Sequence, residues 1–222
     1  MTKKQRKLII FGTGYFAEVA HFYFSLESKY EVVAFTADSD FIEKDKFCDV
    51  PVLDFDMVSE LYPPTDYDMF VSVGYKEVNN VRAQKCIEAK AKGYNLATFV
   101  SENCINYARI MGENCFIFED NTIQPFVEIG NNVVMWSGNH IGHHSKIGDN
   151  SFITSHAVIS GGVEIGKNCF IGVNSTIRDA INIADYTVVG AGALIMKNTK
   201  EREVYMAERT PVFRRPSDRI GM

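Results

Sequence analysis

The stretch that decides the fold is "IGHHSKIGDNSFITSHAVISGGVEIGKNCFIGVNSTI", residues 141–177, in which isoleucine returns at every sixth position. Followed outward in both directions, the spacing holds at Ile105, Met111, Ile117, Ile123, Ile129, Met135, Ile141, Ile147, Ile153, Ile159, Ile165, Ile171, Ile177, Ile183, Val189 and Ile195, sixteen consecutive matches of which thirteen are isoleucine. Glycine follows at Gly112, Gly130, Gly142, Gly148, Gly166, Gly172 and Gly190, and a mostly small residue comes four places on, as at Cys115, Ser145, Ser151, Ala157, Cys169, Ser175 and Ala193. Neither the helical period nor strand alternation produces this pattern. A six-residue unit with one large and one small inward side chain is one flat side of a triangular parallel β-helix, with three units to an 18-residue coil. Coils stack about 4.8 Å apart, isoleucine on isoleucine. Amphipathic strands in a sandwich, the plain alternative, do not keep register this long.

The first hundred residues follow another rule. "KLIIFG" (7–12), "YEVVAF" (30–35) and "DMFVSVG" (68–74) read as strands, each followed by turn residues or a helical segment. "EVNNVRAQKCIEAKAKG" (77–93) sets Val81, Cys86 and Ala89 among charged residues, as an exposed helix ending at Gly93 does. Strands alternating with helices predict a small parallel sheet. The sequence therefore divides into 1–100, a βαβαβ domain; 101–198, the β-helix; and 199–222, a C-terminal tail. "GTGYFA" places Gly12, Gly14 and Tyr15 directly after the first strand, with Asp38 near the end of the second. This has the mononucleotide-binding form, in which glycines let a pyrophosphate approach the backbone and the helix N-terminus attracts it. Gly74, Tyr75 and Lys76, after the third strand, fall at the same edge of the sheet. A domain that only packs is the plain alternative.

A net charge of −5 supplies no basic face for a nucleic-acid partner. The run Lys3, Lys4, Arg6, Lys7 reads as a solvated leader, and "LIIF" is too short for a signal-peptide core. With no apolar run long enough for a bilayer, and five cysteines that form no CxxC pair, the expectation is a cytoplasmic protein with free thiols and no membrane partner. Cys115 and Cys169 occupy the inward small position and read as packing residues.

Residues 18 apart stack on one side of a β-helix, so columns are legible directly: Pro125, His143, Gly161, Asp179, and beside it Phe126, His144, Gly162, Ala180. Two glycines lie over two histidines, removing bulk where imidazoles project. His140, His143, His144 and His156 all fall within seventeen residues. Polar residues on an outer surface are the unremarkable reading; a working face is the other.

"IIFGTGYFAE", residues 141–177 and "ADYTVVGAGALIMKN" together resemble the hexapeptide-repeat sugar acyltransferases, in the branch that N-acetylates nucleotide-linked amino-deoxy sugars or O-acetylates sialic acid. That resemblance implies a Rossmann-like nucleotide-sugar-binding domain before a left-handed parallel β-helix. It implies a homotrimer with acetyl-CoA, the acyl donor, in the groove between neighbouring helices, and surface-glycan synthesis as the setting. A nucleotide sugar then suits one βαβ half better than NAD, with Gly12, Gly14, Tyr15, Asp38, Gly74, Tyr75 and Lys76 as its contacts. His143 occupies the catalytic-histidine position and takes the proton of the attacking amine without a covalent intermediate. His144 stands where relatives commonly carry an acid, and Phe152 where some carry a second histidine near the acyl group. Phe152, Gly161, Gly162, Val173 and Ala191 are the positions implied for the coenzyme, with backbone N–H groups at Gly161 and Gly162 facing the oxyanion. Arg209, Arg214 and Arg215 are candidates for its phosphates. No metal is implied. The rival readings are sugar O-acetylation, a zinc lyase of the γ-carbonic-anhydrase type using the histidines, and a non-catalytic nucleotide-sugar sensor.

Overall fold

The structure, a computed structural model, describes residues 6–220; Lys3 and Lys4 of the basic leader lie outside them. β1 (Arg6–Phe11), β2 (Tyr30–Ala37), β3 (Lys46–Phe47), β4 (Val50–Asp54) and β5 (Tyr67–Val71) form a sheet in the order β3-β4-β2-β1-β5. All pairings are parallel except β3 on β4, a short edge pair that the sequence reading did not foresee. The interior strand β1 is apolar on both faces because both are covered. Leu8 and Ile10 pack under helix α1 (Tyr15–Glu27), and Ile9 and Phe11 pack on the opposite side. Ala17, Ala20 and Phe24, spaced as one stripe of α1, are the buried residues of that helix. After the short α2 (Val58–Leu61), α3 (Asn80–Ala91) buries Arg82, Cys86 and Ala89, so the expected exposed helix is led on its buried side by Arg82 and not Val81.

Three parallel sheets of six, five and seven two-residue strands follow, wound as a triangular prism that fits a β-helix. The first face runs from Ile105–Asn106 to Leu194–Ile195, the second from Ile110–Met111 to Asn182–Ile183 and the third from Phe99–Val100 to Val204–Tyr205. In each later coil the second strand residue points inward: Met135, Ile153 and Ile171 pair in register and are fully buried. Ile105 departs from the repeat. Its partner is Thr122, a step of seventeen, so its side chain turns outward and is 55% exposed. The coil also outruns its expected ends, taking in Phe99–Val100 before residue 101 and Val204–Tyr205 from the expected tail.

From Asn114 to Gly192 each hexad turns its corner through one left-handed residue, with φ of 57° at Asn132, 77° at Gly138, 60° at His144 and 64° at Asn150. Asparagine and glycine tolerate that conformation; histidine at the same place carries some steric cost.

The two units share one core. Phe116, Val134 and Phe152, the outward residues of the third face, are buried with Phe24, Phe70 and Phe99 beneath α1, each such burial being worth about 1.5–3 kcal/mol. Tyr23 on α1 donates to Glu119 of the coil at 2.7 Å. No helix among the described residues is long and apolar enough to cross a membrane.

Candidate functional site

Two places in the molecule concentrate polar function. The first is a cleft of about 720 Å³ at the C-terminal ends of β1, β2 and β5. Gly12, Gly14, Tyr15, Asp38, Gly74 and Lys76 all line it, so six of the seven residues expected to meet a nucleotide sugar come together. Gly12 has φ +115°, and a Cβ there would lie 2.9 Å from Ser72 Oγ, which requires glycine. Gly14 caps α1 with open space around its Cα, leaving the helix N-terminus accessible. Asp38 does not stand free: its Oδ1 accepts from Lys85 Nζ at 2.7 Å, and Lys85 also reaches Glu88 at 2.7 Å. Burial opposes the Lys85 charge, but the two carboxylates outweigh it and hold the ammonium above its usual range. Asp38 thus faces the cleft as half of an ion pair, and Lys85 is a cleft residue the sequence reading passed over.

Tyr75 is the correction. It turns out of the cleft and lies over the third face of the coil, its ring 5.3 Å from Phe152 and 4.9 Å from Phe170. Phe152, expected beside the coenzyme, is 3% exposed in this aromatic layer and has no free ring face to offer.

The second place is the edge between the first and second faces. The Nδ1 atoms of His143 and His144 are 3.1 Å apart, with the rings near perpendicular at 86°. Both side chains are exposed, so neither points into the coil. His143 N–H donates to Gln124 Oε1 at 2.9 Å, and the Phe126 ring lies 4.7 Å from that of His144. In that contact one Nδ1 donates and the other accepts according to the tautomer, and a His143 that donates from Nδ1 keeps a lone pair on Nε2. A Cβ at Gly161 would lie 2.8 Å from His143 Cε1 and 2.9 Å from Nε2, so the glycine makes the notch in which the ring rests.

Gly162 does not share that role. Its φ of +68° serves the corner, a Cβ would meet nothing closer than 3.9 Å, and its N–H is committed to the His143 carbonyl at 2.8 Å. Of the two expected oxyanion donors only the Gly161 N–H finds no acceptor among the described residues. The other histidines disperse, His140 to the first face and His156 to the edge between the third and first faces, beneath Gly138. Among the described residues no three His, Cys, Asp or Glu side chains gather as a metal-ligand set.

Val173 and Ala191 are exposed on that same third-to-first edge, one flat face away from His143. Arg209, Arg214 and Arg215 lie exposed beyond the last strand. Cys115 and Cys169 are fully buried, and burial pushes their thiols up to about 11 and about 12, as packing residues require.

Residues 145–169 and 162–197 match the family described as hexapeptide repeat of succinyl-transferase. No curated protein sequence matches the chain. Among solved structures, the acetyltransferase domain of PglB from Neisseria gonorrhoeae superposes with a TM-score of 0.79 at 21% identity, over 90% of this chain and 96% of that one. PerB from Caulobacter crescentus, solved with CoA and GDP-perosamine, gives 0.77 at 21% identity over 90% and 91%. The chain carries the hexapeptide-repeat fold of these acetyltransferases. WeeI from Acinetobacter baumannii shares it at a TM-score of 0.57 and 17% identity, over 90% and 94%.

What the sequence reading missed joins the two units of this fold. Asn114, Asn132, Asn150 and Asn168, 18 apart, form a ladder of amide hydrogen bonds at 2.9, 2.9 and 3.2 Å along the edge between the second and third faces. Arg82 is fully buried against it and makes no salt bridge among the described residues. Its guanidinium donates to Asn132 Oδ1 (2.9 Å), the carbonyls of Asn132 (3.2 Å), Asn150 (2.8 Å) and Gly74 (3.0 Å), and Asn79 Oδ1 (3.1 Å). All five N–H donors are thus matched. Burial alone brings its pKa down to about 10. Just before α3, Glu77, Val78 and Asn79 have φ of 53°, 50° and 68°, one turn of left-handed helix closed by Asn79 N–H on the Tyr75 carbonyl. Such residues cost about 1–2 kcal/mol each, and a β-branched valine is among the worst placed.

Proposed function

We propose that this protein transfers an acetyl group from acetyl-CoA to the amine of a nucleotide-linked amino-deoxy sugar. The observation that carries the reading is the imidazole pair at the coil edge, with His143 seated in the Gly161 notch and its Nδ1 bonded to His144. In this mechanism the amine nitrogen attacks the thioester carbonyl, and His143 Nε2 takes the proton it sheds. The C–N bond forms, the C–S bond breaks, and the departing thiolate recovers that proton from the imidazolium as free thiol. The His143 charge is shared through Nδ1–H with His144, and the Gly161 N–H faces the oxyanion.

The N-terminal unit is read as a Rossmann-like half that holds the nucleotide: Gly12 and Gly14 admit the diphosphate to the α1 N-terminus, while Lys76 and the Asp38–Lys85 pair border it. The N-terminal unit that carries this cleft packs on the third face, whereas His143 sits on the edge opposite that face. One chain therefore does not complete the site, which supports a homotrimer in which the His143 edge of one copy meets the cleft and the Val173–Ala191 edge of the next. The first face, between those two edges, exposes Val158 and Leu194 as apolar surface for such packing. A cytoplasmic setting fits, since acetyl-CoA and nucleotide sugars are the co-substrates.

The test is release of free thiol from acetyl-CoA across a panel of UDP-, dTDP- and GDP-linked amino sugars. Turnover with one of them, and none with the corresponding hydroxy sugar, is the expected result. Turnover only with the hydroxy sugar makes it an O-acetyltransferase, and nucleotide binding without thiol release makes it a sensor.

A further inference from the structure

The cleft wall formed by Gly74 and Lys76 is tied to the β-helix as well as to its own domain. It runs straight into the left-handed turn Glu77–Asn79, and the side-chain hydrogen bonds that hold that turn join it to Arg82 and the coil. Gly74 offers its carbonyl to Arg82, Asn79 offers Oδ1 to Arg82 and donates Nδ2 to the Cys169 carbonyl at 3.1 Å, and Asn168 donates to the Val78 carbonyl at 3.3 Å and Asn80 Oδ1 at 3.1 Å. A plain linker between strand and helix has no need of three left-handed residues or of a buried cation lacking a carboxylate. Strain of this kind persists where the surroundings over-determine it, and it accompanies parts whose exact placement matters.

We propose that Arg82 and Asn168 are positioning residues for the nucleotide sugar: seated on the asparagine ladder, they hold the strained turn, and with it Gly74 and Lys76, at a fixed height against the β-helix. Ligand in the cleft is thereby kept in register with the acyl-transfer groove that the coil helps to build. The inference rests on the cleft being the nucleotide-sugar site. Lysine cannot replace Arg82, because its three donors leave the ammonium without the planar fork that spans Asn132, Asn150 and Gly74. Asn168 can be replaced by glycine with its φ of 57° retained, which removes the anchor to Val78 and Asn80 together with the last rung of the ladder and leaves the backbone unstrained.

The experiment compares wild type, Arg82→Lys and Asn168→Gly by calorimetric titration with UDP, dTDP and GDP, and by separate KM values for the nucleotide amino sugar and for acetyl-CoA. Both variants are expected to weaken nucleoside-diphosphate binding and raise the sugar KM by about tenfold or more, with the acetyl-CoA KM unchanged. If Arg82→Lys does not fold, Asn168→Gly decides the matter alone. Folded variants with wild-type nucleotide affinity overturn the inference and leave the reading of the cleft intact. A rise in both KM values together also overturns it, since that is general structural damage. Wild type that binds none of the three nucleotides overturns the cleft reading and this inference with it.

Discussion

Replacing Gly161 by alanine adds one methyl group where the geometry leaves no room for the His143 ring. The new Cβ would lie 2.8 Å from Cε1, 2.9 Å from Nε2 and 3.2 Å from Nδ1, whereas comfortable carbon contacts need about 3.5–4.0 Å. Gly161 does not have a left-handed φ, so the alanine backbone itself is unstrained. The imidazole is on the surface and yields first, by about 1 Å, which breaks the 3.1 Å Nδ1–Nδ1 contact with His144. A displacement of that size costs about 10²-fold where geometry sets the rate, and loss of general-base catalysis costs about 10²–10⁴-fold. Thiol release by Gly161→Ala should therefore fall about a hundredfold in kcat. Thermal unfolding should show equal or slightly greater stability, because alanine restricts the unfolded chain by about 0.4–1 kcal/mol. A folded variant with wild-type kcat refutes the notch.

Other changes separate scaffold from site. Gly142→Ala, one coil from the same edge, sets a Cβ 2.4 Å from the Gly161 backbone nitrogen and 2.5 Å from the Ser160 carbonyl carbon; overpacking against backbone costs about 1–3 kcal/mol or more, so the melting temperature should drop, and an unchanged melt contradicts the close approach of the coils. His144→Glu places a carboxylate beside His143 Nδ1, which favours the imidazolium; the acid limb of the kcat/KM profile should move to higher pH, and a profile that stays put shows that His144 does not tune His143. Val78→Asn puts a residue tolerant of φ 50° into the left-handed turn; about 1 kcal/mol is recovered, raising the melting temperature by about 2–4 °C, while a lower midpoint in a differential scan argues against strain there.

The coil was legible because its rule is local. An aliphatic residue every six positions and a small one four places on require nothing beyond the chain's own winding, and even the stacking of Gly161 on His143 follows from counting eighteen. The first coil was misread at Ile105 because a one-residue deletion in spacing flips a side chain outward while leaving the hexad pattern intact to the eye. The gathering of Gly12, Gly14 and Asp38 at one cleft was equally local, since they follow strands whose runs are plain. What escaped notice depends on docking. Phe116, Phe152 and Phe170 look like exposed repeat positions until α1 and Tyr75 cover them. Arg82 sits among lysines and glutamates in sequence, and only the fold shows that it faces the asparagine ladder. The signal was present in Asn114, Asn132, Asn150 and Asn168, whose 18-residue spacing marks one column at left-handed corners. Gly162 misled because adjacent glycines invite one explanation, whereas the corner and the notch make separate demands on them.

The most direct measurement is the rate of thiol release from acetyl-CoA by His143→Asn, with the nucleotide amino sugar that the wild type turns over. Asparagine keeps the size and hydrogen-bonding of the side chain without a titrating nitrogen, so the account predicts intact nucleotide binding and a kcat reduced by about 10²-fold or more. A His143→Asn protein that turns over at the wild-type rate would contradict it.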